Sequence, residues 1–243
     1  MPRAKQERAE VTRAAIVEGA ARAFDAAGFG STSLSDIVKE AGVTKGALYF
    51  HFASKESLAY AVMEDQFDTA ALLERVERPG VQTAIDLTHR MARELRSNVR
   101  VRAGIRLVLE YGSFSDPDRR FYDRWIATLR ACLEPARDSG DLRPEVSAED
   151  AATLVVGSFT GIQIASQVRT GREDLTRRVT DLWTWLLPGL VPPRRLGRFD
   201  PAGSADLDTV FGLPDAAGTV PAVAAGSRSP AADRTGEPAT AGR

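Results

Sequence analysis

The chain has 243 residues, a formal net charge of −1 at pH 7 and a sequence pI near 6.2. This balance excludes a uniformly basic protein, so any nucleic-acid-binding surface must be local. The single cysteine, Cys132, excludes an intrachain disulfide framework. Two histidines, one cysteine and no compact carboxylate cluster indicate neither a metal site nor a cofactor, and they argue against an enzyme.

Apolar residues recur at helical spacing along most of the chain, and no segment has a convincing strand pattern. We therefore expect an all-α fold. No apolar segment of signal-peptide type occurs near the N-terminus, and no run of about 18 apolar residues is present. The protein is expected to be cytoplasmic, without a membrane partner.

The chain begins with a mildly basic arm that leads into a helix predicted over residues 6–27 and stopped by Gly28. Arg3 and Lys5 in this arm are candidates for contacts with DNA phosphates or the minor groove. An ordinary solvated helix start has the same composition, so both interpretations stay open.

Two short helices separated by a tight turn follow. Ser33 is placed to cap the first, and Gly42 lies just past its end, where a left-handed backbone favours glycine. Thr44 is placed to cap the second, whose Leu48 and Phe52 are four residues apart and face inward.

The second short helix therefore turns small, cationic and aromatic side chains outward, as expected of a helix-turn-helix that reads the major groove. Lys55, at the start of the next helix, is a further candidate for a phosphate contact. An ordinary helical hairpin with a solvated polar face fits the same local pattern. The predicted DNA-binding residues of this region are Thr44, Lys45, Gly46, Ala47, Tyr49, His51 and Lys55.

The string VTKGALYFHFASKESLA, from Val43 to Ala59, resembles the DNA-binding signature of the TetR family of transcriptional repressors. Its portion TKGALYFHF is further similar to the γ-butyrolactone receptor branch of that family. The resemblance covers about the first quarter of the chain. It implies a homodimer that binds a pseudo-palindromic double-stranded DNA operator.

The expected organisation is TetR-like. A three-helix DNA-binding head over residues 1–53 precedes a helical body for ligand binding and dimerisation over residues 54–190. Residues 191–243 are rich in Pro, Ala and Gly, and this composition predicts a disordered tail. Two apolar helices of the body, predicted near residues 148–170 and 173–187, are candidates for a four-helix bundle between subunits.

Two segments of the body, RRFYDRW ending at Trp125 and FTGIQIASQ beginning at Phe159, also resemble γ-butyrolactone receptors. The resemblance implies that Trp125 lines a ligand pocket, and Gln163 is placed to bond a ligand carbonyl. Trp125 as a core residue and Gln163 as a satisfied buried amide are the alternatives. The other expected lining residues are Phe159, Val155, Leu109, Tyr122 and Leu129.

The resulting hypothesis is a repressor that leaves its operator when a small apolar ligand of the γ-butyrolactone type shifts the helix starting at Lys55. A TetR-type repressor that answers to an antibiotic or another apolar ligand is one alternative. A helical module that binds protein through the hairpin is another.

Overall fold

A computed structural model describes residues 2–65, 73–110 and 120–211. The side chains of residues 2–5 and 65 lie outside this description. Every regular element in the described ranges is a helix, which confirms the all-α expectation. The α-helices are α1 (Pro2–Ser31), α2 (Leu34–Ala41), α3 (Lys45–His51), α4 (Lys55–Asp65), α5 (Val81–Ser97), α6 (Val99–Glu110), α7 (Arg120–Asp138), α8 (Ala148–Thr170), α9 (Leu175–Leu190) and α10 (Leu207–Val210), and a 3-10 helix spans Pro193–Arg198.

The turn between α2 and α3 is built by local capping. Ser33 and Asp36 form a reciprocal capping box, and Gly42 ends α2 at φ 64° and ψ 28°, in the left-handed region. Thr44 Oγ1 accepts a hydrogen bond from the Ala47 N–H at 3.2 Å and so caps α3. All three predicted caps are confirmed.

The first helix departs from its predicted end. α1 continues to Ser31, with one break at Gly28, where φ is 76° and ψ is 175°. A Cβ at this position would lie 2.7 Å from both Arg106 Nη2 and Glu110 Oε1 of α6. Gly28 therefore breaks the helix, as predicted, and also lets α6 approach it closely.

The body packs α7 against α8, and α9 against both α8 and α5, while α1 of the head and α4, which follows the head, pack on α6. Trp183 of α9 is fully buried, and its Nε1–H donates to Thr88 Oγ1 of α5 at 2.7 Å, which satisfies the indole at the centre of the body. Cys132 of α7 is buried, and burial raises the pKa of its thiol to about 12, so it acts as an apolar packing group.

The predicted tail requires a correction, because residues 193–211 are folded against the body: Arg195 and Arg198 pair with Asp141, and residues 200–208 bond to α5. We name this stretch the C-terminal clasp. Its Asp208 accepts from Arg90 and Arg93 at 2.8 Å each, and its Ser204 donates to both carboxylate oxygens of Asp86 at 2.7 Å. Phe211 is completely buried. Residues 212–243 lie outside the described part of the chain.

The helix α8 has the length and mean hydropathy of a membrane-spanning segment, although 39% of that window is buried inside the protein. It packs in the body between α7 and α9, as the core helix of a folded domain does. Its remaining apolar side chains lie on an exposed face.

Candidate DNA-binding surface and ligand cavity

The outer face of α3 carries most of the residues predicted to contact DNA. Thr44, Lys45, Gly46 and Tyr49 are exposed and Ala47 is half-buried. Lys45 Nζ lies 5.9 Å from the centroid of the Tyr49 ring, so the cation and the aromatic ring form one surface. At Gly46 no other group lies within 4 Å of where a Cβ would stand, so a nucleic-acid backbone has room to approach.

Phe50 is an exposed aromatic residue that sequence reasoning missed. It is 79% exposed, and its ring meets that of the half-buried His51 edge-on at a centroid distance of 5.0 Å. The signal was available, because Leu48 faces the core and a residue two positions later on a helix points elsewhere. Phe50 therefore belongs to the candidate DNA-binding surface.

Lys55 makes contacts within the protein that the sequence did not predict. Its Nζ donates to the backbone oxygens of Phe29 at 2.8 Å and Thr32 at 2.9 Å, and lies 4.1 Å from the centroid of the Phe29 ring. The ammonium therefore ties α4 to the end of α1, and a phosphate contact by Lys55 stays a prediction. Arg3 and Lys5 lie in the first turns of α1, but their side chains lie outside the described atoms.

Four of the residues predicted to bind ligand meet in one apolar cavity of the body. Trp125 and Phe159 pack edge-to-face with centroids 5.1 Å apart, and Tyr122 and Gln163 complete their side of the wall. The side chains that sequence reasoning missed are Ile105, Val108, Phe121 and Thr160. Ile105 and Val108 stand three residues apart in α6, a spacing that could have identified them as one face.

Three of the residues predicted to bind ligand do not line the apolar cavity. Val155 and Leu129 are buried core residues one turn away from Phe159 and Trp125, and neither lines the cavity. Leu109 is 45% exposed and lines a second cavity between α1, α6 and α8. Helical spacing correctly predicted that Val155 lies on the same helix face as Phe159, and Leu129 on the same face as Trp125. It could not show which helix turn of each face borders the apolar cavity.

The apolar cavity has a volume of only about 10 Å³, room for about one water molecule. Gln163 is its main polar group and is 2% exposed. The Oε1 atom of Gln163 accepts from Arg172 Nη2 at 3.2 Å, which leaves the amide NH₂ group as a donor. The cavity thus offers aromatic and aliphatic walls and, at Gln163, a buried amide donor.

Polar contacts connect α6 with α1. Arg102 donates to the Asp25 carboxylate at 2.9 Å, and Arg106 Nη1 donates to the Asp25 carbonyl at 2.8 Å. Glu110 Oε2 accepts from the Phe29 N–H, also at 2.8 Å. Because Ile105 and Val108 of the same helix line the apolar cavity, α6 contacts both the cavity and the head.

We searched the described part of the chain for side chains that could bind a metal ion. There, no group of three His, Cys, Asp or Glu side chains is arranged to hold a metal ion.

Comparison with known proteins shows which protein family the chain matches. A model of the bacterial regulatory proteins of the tetR family matches residues 16–62, and one of the tetracyclin repressor-like C-terminal domain matches residues 78–192. The A-factor receptor protein of Streptomyces griseus is 39% identical over 204 residues, which are 84% of this chain and 72% of that protein.

Solved structures of similar regulators share this fold. A crystal structure of a γ-butyrolactone receptor described as ArpA-like has a TM-score of 0.66 and 33% identity, covering 83% of this chain and 98% of that one. The TetR family protein CprB of Streptomyces coelicolor, solved with its biological operator sequence, has a TM-score of 0.65 and 37% identity, covering 79% and 94%. The chain therefore belongs to the TetR family of bacterial transcriptional regulators and is similar to the γ-butyrolactone receptors within it.

Proposed function

We propose that the protein is a cytoplasmic, non-catalytic repressor that binds a pseudo-palindromic operator as a homodimer and is released by a small apolar ligand of the γ-butyrolactone type. The observation that carries this proposal is the position of α6, which lines the apolar cavity with Ile105 and Val108 and holds the head through Arg102 and Asp25.

The DNA contact is assigned to the outer face of α3. Lys45 reaches a guanine edge or a phosphate, Tyr49 and His51 contact phosphates, and the small Gly46 and Ala47 let the backbone come close to the bases. Phe50 adds an apolar surface of the kind that contacts thymine methyl groups or deoxyribose.

The dimer contact is assigned to α8 and α9. Leu154, Ile164 and Val168 form an exposed apolar strip along α8, and Trp185 of α9 is 83% exposed. At Gly157 and at Gly161, which lie between them, no other group stands within 4 Å of a Cβ position, so a partner helix has room to approach. Covering such a strip by a second copy removes apolar surface from water.

The ligand site is assigned to the cavity beside Trp125. An acyl chain would pack on Trp125 and Phe159, and the free NH₂ group of Gln163 would donate to a lactone carbonyl. Since the cavity holds only about one water molecule, a ligand has to displace wall residues to bind there.

That displacement supplies a mechanism for release. A ligand that pushes Ile105 and Val108 outward moves α6, and α6 is bonded to α1 and packed on α4. The ligand thereby favours a form of the dimer in which the two heads no longer match successive major grooves. This is a shift between two populations, driven by the ligand's preference for the open cavity.

The test is a gel-shift titration on DNA from around the protein's own gene, at a stated salt concentration. Lys45→Ala and Tyr49→Ala are each expected to lower operator affinity by about 1–3 kcal/mol. Arg137→Ala, which removes an exposed cation from α7, is the matched control and should leave it unchanged. Unchanged binding by both α3 variants would favour a protein-binding hairpin instead.

The ligand class is tested by adding a 2-acyl-γ-butyrolactone to the operator complex. Release is expected for the wild type, and Trp125→Phe should require about tenfold more ligand, because the larger indole face is lost while DNA binding without ligand stays intact. Release by an apolar antibiotic but not by the lactone would keep the repressor and change the ligand class.

A further inference from the structure

The second cavity lies between α1, α6 and α8 and differs in chemistry from the apolar one. Its volume is about 250 Å³, near the lower end of the range for small-molecule pockets, about 300–1,000 Å³. Three arginines, Arg102, Arg106 and Arg172, border it, with Asp25 as the one carboxylate. We propose that this cavity is a second effector site, which binds a small organic anion carrying a carboxylate or phosphate on a short apolar group.

The charges around the cavity do not balance. Arg102 is paired with Asp25 at 2.9 Å, and Arg106 is paired with Glu110 at 2.9 Å. Arg172 has no carboxylate within 4 Å among the described residues; its recorded side-chain bond is to the amide oxygen of Gln163. One positive charge is therefore left over at the wall, and a singly charged anion would neutralise it.

Arg172 is also held in place at a cost. Its φ is 72°, and no other described non-glycine residue has a positive φ. A left-handed backbone is unfavourable for a residue other than glycine. The Nε atom of Arg172 is buried and has no acceptor among the described residues. An incoming anion would give this N–H an acceptor and offset the cost of burying it.

Burial lowers the pKa of the Arg172 guanidinium from its ordinary value, and the charge of Arg102 adds to this effect, while Asp25 raises it. The guanidinium still carries its charge at neutral pH, because arginine is the most basic side chain in proteins. Its charge is nevertheless poorly solvated, which strengthens its attraction to an anion compared with that of an exposed arginine.

The remaining walls suggest an organic anion rather than a bare inorganic one. Ile105, Leu109 and Ile164 face the cavity with apolar side chains, and Gln167 adds an amide. Ile164 and Val168 also belong to the proposed dimer strip, so the cavity lies at the edge of that interface. A carboxylate or phosphate on an aliphatic or aromatic group would satisfy both halves of the lining.

The site has a direct route to the DNA-binding head. An anion beside Arg172 would compete with Asp25 for Arg102, and the Asp25 carboxylate is one of the contacts that join α1 to α6. Ile105 and Gln163 line both cavities, so filling one changes a wall of the other. The effect on operator affinity rests on the proposed function, whereas anion binding itself does not.

The direct test uses the full chain without DNA. Hexanoate and its neutral analogue hexanamide are titrated by calorimetry, with inorganic phosphate as a third probe for the anion alone. Hexanoate is expected to bind at least about tenfold more tightly than hexanamide, because only the anion pairs with the unbalanced arginine. Stronger binding of phosphate than of hexanoate would assign the site to a phosphate headgroup. Equal binding of hexanoate and hexanamide, or binding of none of the three, would overturn the proposal.

Variants locate the site. Arg172→Gln is expected to weaken hexanoate binding by about tenfold or more, and Arg172→Lys, which keeps the charge, by less. Arg169→Gln removes an exposed arginine at the end of α8 and is the matched control. If Arg172→Gln loses its helical circular dichroism, the hexanoate affinities of Arg172→Lys and Arg169→Gln are compared instead to locate the site. Unchanged affinity in the folded Arg172 variants would overturn the assignment.

A gel shift then separates this site from the proposed function. If hexanoate binds the free protein but leaves operator affinity unchanged, the anion site stands and its role as an effector is wrong. If the protein binds no operator at all, the proposed function fails and the calorimetric result is unaffected.

Discussion

Arg102 in α6 and Asp25 in α1 form an ion pair in which Nε and Nη2 of the arginine both lie 2.9 Å from one carboxylate oxygen. Both side chains are about three-quarters shielded from solvent. The pair therefore joins the DNA-binding head to the helix that borders both cavities, so that one helix lies between each cavity and the head.

Replacing Asp25 by asparagine tests this link. Asp25→Asn removes the charge that pairs with Arg102 and is expected to cost about 1 kcal/mol of stability. The ratio of operator affinities without and with lactone should fall towards one, because displacement of α6 is no longer carried fully to α1. A gel shift with and without lactone measures this ratio.

The matched control is Asp181→Asn, which breaks an exposed pair with Arg177 in α9. It should leave the affinity ratio unchanged. An Asp25→Asn protein with the full wild-type response would show that the signal travels by another route, such as the contact of α4 with α6.

A substitution at Gly28 tests the close contact between α1 and α6. Gly28→Ala forces a side chain into a backbone conformation that is essentially restricted to glycine and against Arg106 and Glu110. The expected loss is about 1–3 kcal/mol, visible as a lower urea midpoint.

Gly30→Ala is the control for that substitution. At Gly30 no other group lies within 4 Å of the Cβ position. The change should cost nothing, and a gain of up to about 1 kcal/mol is possible through the unfolded chain. Equal effects of the two variants would contradict the close approach of α6 to Gly28.

The helix-turn-helix was predictable from the sequence because its determinants are local. Ser33, Gly42 and Thr44 each act on atoms within about four residues, so the caps can be placed without knowing the fold. The bonds that Lys55 makes within the protein were not predictable, because its carbonyl partners, Phe29 and Thr32, lie more than 20 residues earlier in the chain. Sequence periodicity contains no information on such contacts.

The same limit applies to the cavities and to the clasp. Periodicity predicted the apolar faces of α7 and α8. It did not show at which helix turn these two faces separate and leave a cavity. Composition suggested that residues 191–243 lack the apolar content to fold. In the structure, Phe211 and Leu207 are sufficient anchors, because α5 presents the charges and hydrogen-bonding groups that match the clasp.

Phe211 tests how firmly the clasp is anchored. Phe211→Ala removes a fully buried ring and is expected to cost about 3 kcal/mol, with faster proteolysis of residues 193–211. Phe50→Ala makes the same change at a site that is 79% exposed and should shift stability by less than about 0.5 kcal/mol. A similar urea midpoint for both would mean that the clasp contributes little.

His89 makes the clasp sensitive to pH. Its Nε2 lies 2.9 Å from the Pro201 carbonyl oxygen, and burial lowers the pKa of its imidazole below the ordinary value of 6.5 despite the nearby carboxylates of Asp86 and Asp200. The folded protein therefore holds His89 neutral at a pH where the unfolded chain is already protonated. Because the unfolded state then binds more protons, stability falls as pH drops below about 6.5.

Urea unfolding between about pH 8 and 5 measures this slope, which for one proton reaches at most about 1.4 kcal/mol per pH unit. His89→Gln keeps a donor for the Pro201 carbonyl and should remove this part of the slope. His51→Gln changes the other histidine of the chain, on the candidate DNA-binding surface, and should retain it. If the His89→Gln protein loses stability on acidification as steeply as the wild type, then His89 is not the group that loosens the clasp.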